Sequence, residues 1–192
     1  MDLLTVIFIG IGLAMDAFAV SVCKGLMSKE KLVIVGLTTG IWFGAFQAIM
    51  PIIGFYLGSA VYDIVSEYAH WVAFAILLLI GANMIREDFF GDEDQDGSLG
   101  TMTMVTLAIA TSIDALIVGV SMSMESDEIL LPAVLIGVIT FFISFLGAVL
   151  GRHYGDRFGR HAGTLGGILL IIIGIKTLLD GLGYLRGLQG PA

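Results

Sequence analysis

The feature that most constrains this chain is a set of apolar runs long enough to cross a lipid bilayer, the first of which, Leu3 to Cys23, is interrupted by a single charge, Asp16. An α-helix rises about 1.5 Å per residue, so about 20 apolar residues span the hydrocarbon layer, and within it every backbone polar group must be bonded inside the protein. Continuous apolar runs, rather than alternating ones, select helices over a barrel. Hydropathy places spans at about 3–23, 32–61, 68–85, 99–124, 129–151 and 162–185. What remains is too short for a soluble domain. The expected fold is therefore an all-α integral membrane protein of six transmembrane helices in one transmembrane domain.

Composition agrees with that solvent, since 57% hydrophobic and 14% charged residues leave too few polar side chains to cover a water-facing surface. The first run opens Met1-Asp2 with no basic segment and exceeds a signal-peptide core in length, so it is expected to be a retained span. One cysteine, Cys23, excludes an intrachain disulfide. The net charge of −8 has a local origin, because six acids fall within residues 87–96, "EDFFGDEDQD". The second span contains Pro51 and Gly54 and is overlong, so it is expected to tilt, kink or break near them.

Orientation follows from the basic residues of the short loops. Lys24, Lys29 and Lys31 follow the first span, Arg86 the third, and Arg152, Arg157 and Arg160 the fifth. The opposite loops carry Asp63, Glu67, Glu125, Asp127 and Glu128, with Arg186 in the tail. Both termini are thus expected outside the cytoplasm.

The chain also matches itself. "MDAFAVSV" (15–22) aligns with "IDALIVGV" (113–120), "GFYLG" (54–58) with "GRHYG" (151–155), and "LIGANMI" (79–85) with "IIGIKTL" (172–178). Repeat one covers about 1–86, repeat two about 99–185, and an acidic cytoplasmic linker, 87–98, joins them. Three helices per repeat is an odd number, so the second copy crosses in the opposite sense, the inverted-repeat plan of many secondary transporters. Asp16 and Asp114 are matching positions, each about 13 to 15 residues into its span from opposite sides, hence near mid-depth.

A carboxylate facing lipid at that depth costs a few kcal/mol or more, so both face the interior or a water-filled path. A structural role, as protonated acids bonded across helices, is the plain alternative. Two ionised carboxylates about 4 Å apart repel by about 4 kcal/mol at an effective dielectric near 20 unless a cation or proton lies between them. Their surroundings suit a metal: Gly12 and Cys23 lie near Asp16, and Thr111 and Ser121 near Asp114, all small or bearing oxygen or sulfur. Met15 and Met122 would favour a softer ion such as Cd²⁺, although packing explains them as well. Gln47, Asn83 and Lys176 are further polar residues within spans, able to supply amide oxygens or a positive charge. Asn83 and Lys176 are matched by the repeat, and Asp180 competes for Lys176 at a spacing of four. Ser144 is expected to be bonded within its own helix.

The linker segment "DEDQDG" (92–97) opens like a calcium loop through Asp92, Asp94 and Asp96, but Thr103 stands where a bidentate Glu is expected. A solvated acidic linker that binds cations weakly is the simpler account. No G-x-x-x-x-G-K-[ST] motif is present, so ATP hydrolysis is not expected to drive the chain.

The segments "GLAMDAFAVSVCKG" (12–25) and "ATSIDALIVGVSM" (110–122), supported by "FGAFQAIMPIIG" (43–54), "HWVAFAILLLIGANMI" (70–85) and "GGILLIIIGI" (166–175), resemble the manganese efflux pump family, MntP, within the LysE-type exporter superfamily. The resemblance covers essentially all six spans. It implies a transporter, not an enzyme, exporting Mn²⁺ from the cytoplasm of a bacterium across its inner membrane, with Asp16 and Asp114 as essential acids. Gln47 stands where some members carry Glu, and Lys176 is likewise variable. The expected partners are the manganese ion, as cargo rather than cofactor, and membrane lipid; no nucleic acid is expected. Export of another divalent metal such as Cd²⁺, or of a small organic solute, is the alternative, and an intramembrane aspartyl protease a remote one, since the G-x-G-D and Y-D contexts of such enzymes are absent.

Overall fold

The computed structural model describes residues 3–58, 62–90, 99–125, 128–158 and 162–182, and among these it is all-helical. In chain order the helices are α1 (Leu3–Met27), α2 (Leu32–Leu57), α3 (Tyr62–Phe90), α4 (Thr101–Ala110), α5 (Ile113–Glu125), α6 (Leu130–Phe158) and α7 (Ala162–Gly181). By length and composition α1, α2 and Leu130–Tyr154 of α6 are each sufficient to cross a membrane, and α4 with α5 makes a fourth, bent span. The apolar stretches His70–Asn83 of α3 and Thr164–Leu179 of α7 are shorter.

Packing does not follow chain order. α1 lies mainly along α6, α2 along α6 and α5, and α3 along α7. Lipid tails are as apolar as leucine, so helices in a bilayer gain contact by close backbone approach rather than by hiding apolar surface. A Cβ at Gly25 of α1 would collide with the Ala148 carbonyl of α6, and one at Gly151 of α6 with the Val22 carbonyl of α1. The crossing of α5 and α2 uses the same device, Gly119 against the Pro51 carbonyl and Gly54 against the Leu116 carbonyl. Gly81 and Gly167 bring α3 and α7 together, each Cβ position only 2.6 and 2.5 Å from the other's carbonyl oxygen.

Polarity is distributed as a lipid-facing bundle requires. Leu4, Phe8, Ile41, Leu79, Met102 and Phe142 are exposed, whereas Thr39, Gln47, Thr140 and Ser144 are buried. Ala17, Val20 and Cys23 of α1 pack with Phe43, Leu77, Met104 and Leu170 in the largest cluster, drawing residues of both halves into one core.

Of the tilt, kink or break expected near Pro51 and Gly54, the break does not occur. α2 runs unbroken through the buried Pro51 and ends at Gly58, whose φ of 61° is a backbone conformation suited to glycine. Gly119 of α5 is seated closely on the Pro51 carbonyl, one turn beyond the Gln47 carbonyl that proline leaves without its helical donor. The break lies instead in the fourth span, where α4 and α5 meet at an angle of 46°.

Candidate metal-ion site

The bend between α4 and α5 is made by two hydroxyl residues. Thr111 Oγ1 shares the Leu107 carbonyl with its own amide, each at 3.0 Å, while Ser112 Oγ donates to the Ala108 carbonyl at 2.6 Å and the Ser112 amide turns to the Ile109 carbonyl, so at Ser112 a side chain takes the acceptor that a continuing helix would use. Among the described residues no backbone amide bonds back across the bend to the Ala110 or Thr111 carbonyl. α5 then starts afresh, with Asp114 in its first turn. The Asp114 Oδ1 accepts the Ala115 amide at 2.8 Å, and the positive end of the new helix favours a carboxylate there.

Asp16 is carried by the middle of the continuous α1. Both side chains are half-buried. Leu13 of α1, Ala115 of α5 and Ile136 of α6 belong to one packed cluster, which brings the turns bearing the two aspartates into one layer.

Gln47 joins this layer from α2. Its Nε2 donates to the Leu13 carbonyl at 2.9 Å, and because a carbonyl only accepts, this bond fixes which end of the amide faces α1. The buried Oε1 has no hydrogen-bond partner. Ser144 departs from expectation, because its buried hydroxyl is not bonded within its own helix. Thr140, one turn earlier on α6, and Ser21 on α1 share that condition. None of these three was singled out by the sequence as a site residue; the one signal is a pair of hydroxyls four apart in an otherwise apolar helix.

The remaining candidates divide. Thr111 is buried at the bend, and half-buried Ser121 donates to the Ile117 carbonyl at 3.1 Å, so both protons are used locally. Gly12 is exposed with open space around its Cβ position, and Cys23 lies in the core. Asn83 and Lys176 are on exposed faces of α3 and α7, away from the interior layer of Gln47. The Asp180 side chain and residues Asp92, Asp94 and Asp96 lie outside what the structure describes. Among the described residues no three His, Cys, Asp or Glu side chains form a metal-holding cluster, so a cation between the aspartates would complete its shell with uncharged oxygens.

Comparison with known proteins gives one consistent family. The family description "Putative manganese efflux pump" matches residues 34–178. This chain belongs to the manganese efflux pump family, MntP. Proteins named "Putative manganese efflux pump MntP" from Methanosarcina mazei, Methanosphaera stadtmanae and Crocosphaera subtropica are 46%, 44% and 43% identical to it. They cover 94%, 92% and 95% of this chain and 97%, 99% and 98% of their own lengths. The first alignment spans 181 of the 192 residues, which leaves too few outside it to exclude Asp16. No solved structure matches the chain. Within the MntP match lie α2 from Ile34 onward, both halves of the bent span, α6 and most of α7, and so Gln47, Asp114, Thr140 and Ser144.

Proposed function

We propose that this protein is a secondary transporter that exports Mn²⁺ from the cytoplasm of a bacterial cell across the inner membrane. The ion binds between Asp16 and Asp114 at mid-membrane, and its release is coupled to proton uptake. The observation that supports the proposal is that the turns bearing these two acids, on helices whose sequences match, share one packed cluster, in a layer that also holds an unpartnered amide oxygen. Two carboxylates neutralise one divalent cation, and oxygen donors suit Mn²⁺. The names of the relatives favour Mn²⁺ over a softer metal or an organic solute. Without a cation the pair repels itself, so protons take the place of the metal after release.

Alternating access through two inverted three-helix repeats is supported by the pairing of the helices. Exchanging the halves exchanges α1 with α4–α5, α2 with α6 and α3 with α7, and under that exchange the α1–α6 contact becomes the α5–α2 contact. α3 and α7 serve as the two further spans. The Arg152 Nε donates to the Glu30 carbonyl at 3.0 Å, joining the α1–α2 loop to the late part of α6. That contact supports a shared cytoplasmic side for the two basic loops, and therefore external termini. The acidic linker, on the same side, concentrates cations weakly at the entrance.

Flux measurements in inside-out membrane vesicles test the proposal, with Mn²⁺, Cd²⁺, Zn²⁺ and Mg²⁺ offered separately, with and without an acidic lumen. Mn²⁺ uptake accelerated by the acidic lumen is expected. Mn²⁺ flux indifferent to the gradient removes the proton coupling, and absence of metal flux removes the metal reading.

A further inference from the structure

The geometry points to Thr140 and Ser144 of α6 as two further oxygen ligands for the translocated dication, which with Gln47 Oε1 form an uncharged oxygen wall beside the paired aspartates. This inference rests on the Mn²⁺-export proposal and extends it to the composition of the ion's shell.

The position of the two hydroxyls follows from the α1–α6 packing. The Cβ position of Gly10 lies 3.5 Å from the Ile136 Cα, and that of Gly147 lies 2.7 Å from the Phe18 carbonyl oxygen. The stretch of α6 between Ile136 and Gly147 therefore runs beside the stretch of α1 between Gly10 and Phe18, which contains Asp16. Ile136, Thr140, Ser144, Gly147 and Gly151 follow one another at spacings of three and four, placing the hydroxyls on the α1-facing side of α6. Gln47 enters the same layer through its bond to the Leu13 carbonyl. The repeat offset that matches Gly54 with Gly151 also matches Gln47 with Ser144, so each half contributes one of these oxygens at the same place.

Their bonding state, which Ser21 of α1 shares, separates these hydroxyls from the helix-bonded ones among the described residues. A Ser or Thr inside an apolar helix ordinarily donates to a carbonyl one turn back, as Thr39, Thr111, Ser121 and Thr177 do here. Thr140 and Ser144 do not, although both are 0% exposed and their oxygens have no partner. An unpartnered buried hydroxyl is a cost to the folded protein that a valine or alanine would not incur. Such a cost is understandable where the oxygen is reserved for a ligand. A hard divalent ion seeks about six oxygens, and neutral ones complete the shell without adding negative charge to the two carboxylates.

The test uses the full chain in proteoliposomes and, purified, in metal-binding titrations with Mn²⁺ and Cd²⁺. Thr140→Val and Ser144→Ala are each expected to raise the apparent KM for Mn²⁺ about fivefold with maximal rate within about twofold, and the double variant about twentyfold. The metal-free melting temperature of each variant is expected to equal or exceed that of the wild type, an outcome that a structural role would reverse. Ser144→Cys is expected to shift the Cd²⁺ to Mn²⁺ affinity ratio by about tenfold toward Cd²⁺ through its soft sulfur. Unchanged Mn²⁺ affinity in both single variants overturns the inference while leaving Mn²⁺ export intact, as does weaker binding that tracks a lowered melting temperature. A wild type that neither binds nor moves Mn²⁺ overturns both.

Discussion

The two helices that carry the aspartates have matching sequences and different shapes. α1 is continuous over 25 residues, while its counterpart is bent by 46° just before Asp114. Their crossings differ in register as well. Gly25, which seats α1 on α6, comes nine residues after Asp16, whereas Gly119, which seats α5 on α2, comes five after Asp114. The partner positions agree between halves, since Ala148 and Gly151 match Pro51 and Gly54. One aspartate helix is therefore displaced along its partner by four residues, about one turn or 6 Å, relative to the other. The lesson is that sequence symmetry between the halves coexists with positional asymmetry. An alternating-access transporter needs such an asymmetry, because exchanging the arrangements of the halves exchanges the side that is open. Under the alternating access proposed above, the seats of the exchanged registers would fall on small residues, Ser21 one turn before Gly25 and Ser123 one turn after Gly119.

The largest expected effect tests what the two helices share. Asp16→Asn and Asp114→Asn are each expected to reduce Mn²⁺ export by about a hundredfold or more with the protein still inserted, because asparagine keeps the size and loses the charge. Measured side by side in vesicles, a variant retaining near-normal flux would break the equivalence. The next effect separates the present register from the exchanged one. Gly119→Leu is expected to lower the yield of folded protein through collision with the Pro51 carbonyl. Ser123, half-buried here, is expected to accept leucine with normal folding and lose export about tenfold. Full transport by Ser123→Leu would sink the exchange of registers.

A smaller effect concerns pH. Cytoplasmic loading requires both carboxylates free of protons, so protons compete with the metal and lowering cytoplasmic pH by one unit is expected to slow export severalfold at subsaturating Mn²⁺. High Mn²⁺ should offset the loss, which a titration of flux against metal at two pH values would reveal. The smallest effect is assigned to Lys176. It lies exposed on α7, and Lys176→Gln is expected to leave flux within about twofold and its pH dependence unaltered. A steepened pH profile would instead assign it a counter-charge role.

Much of this arrangement was legible in the residues because lipid restricts the possibilities so severely. The apolar runs marked the helices, α1 and α2 among them, and the sequence repeat singled out Asp16 and Asp114, whose turns the Leu13–Ala115–Ile136 cluster brings into one layer. The bend at Thr111 and Ser112 was harder to see. It arises from side chains competing with the backbone for carbonyls, and its sequence sign, Thr-Ser followed by an acid in a new first turn, is the signature of a helix start hidden inside an apolar run. Pro51 was ambiguous in the opposite direction, since a proline in an apolar run allows a tilt, a kink or a break, and α2 passes through it without a break. Thr140 and Ser144 were overlooked because bonding within the helix is the common fate of such hydroxyls, and only the packed structure distinguishes those that decline it.

The dominance of the α1–α6 contact also bears on how the molecule is made. α1 emerges from the ribosome well before its main partner, as α6 does not end until Phe158. At about 5–20 residues per second, an interval on the order of 10 s separates the two during synthesis. For that time the turn carrying Asp16 has neither α5 nor α6 beside it. The nascent first half is then a set of helices whose glycine seats Gly25, Gly54 and Gly81 have no partner yet. A chain interrupted before Leu130 lacks the main partner of α1 and is expected to accumulate in membranes at a lower level than the full chain, as an immunoblot of the two would show.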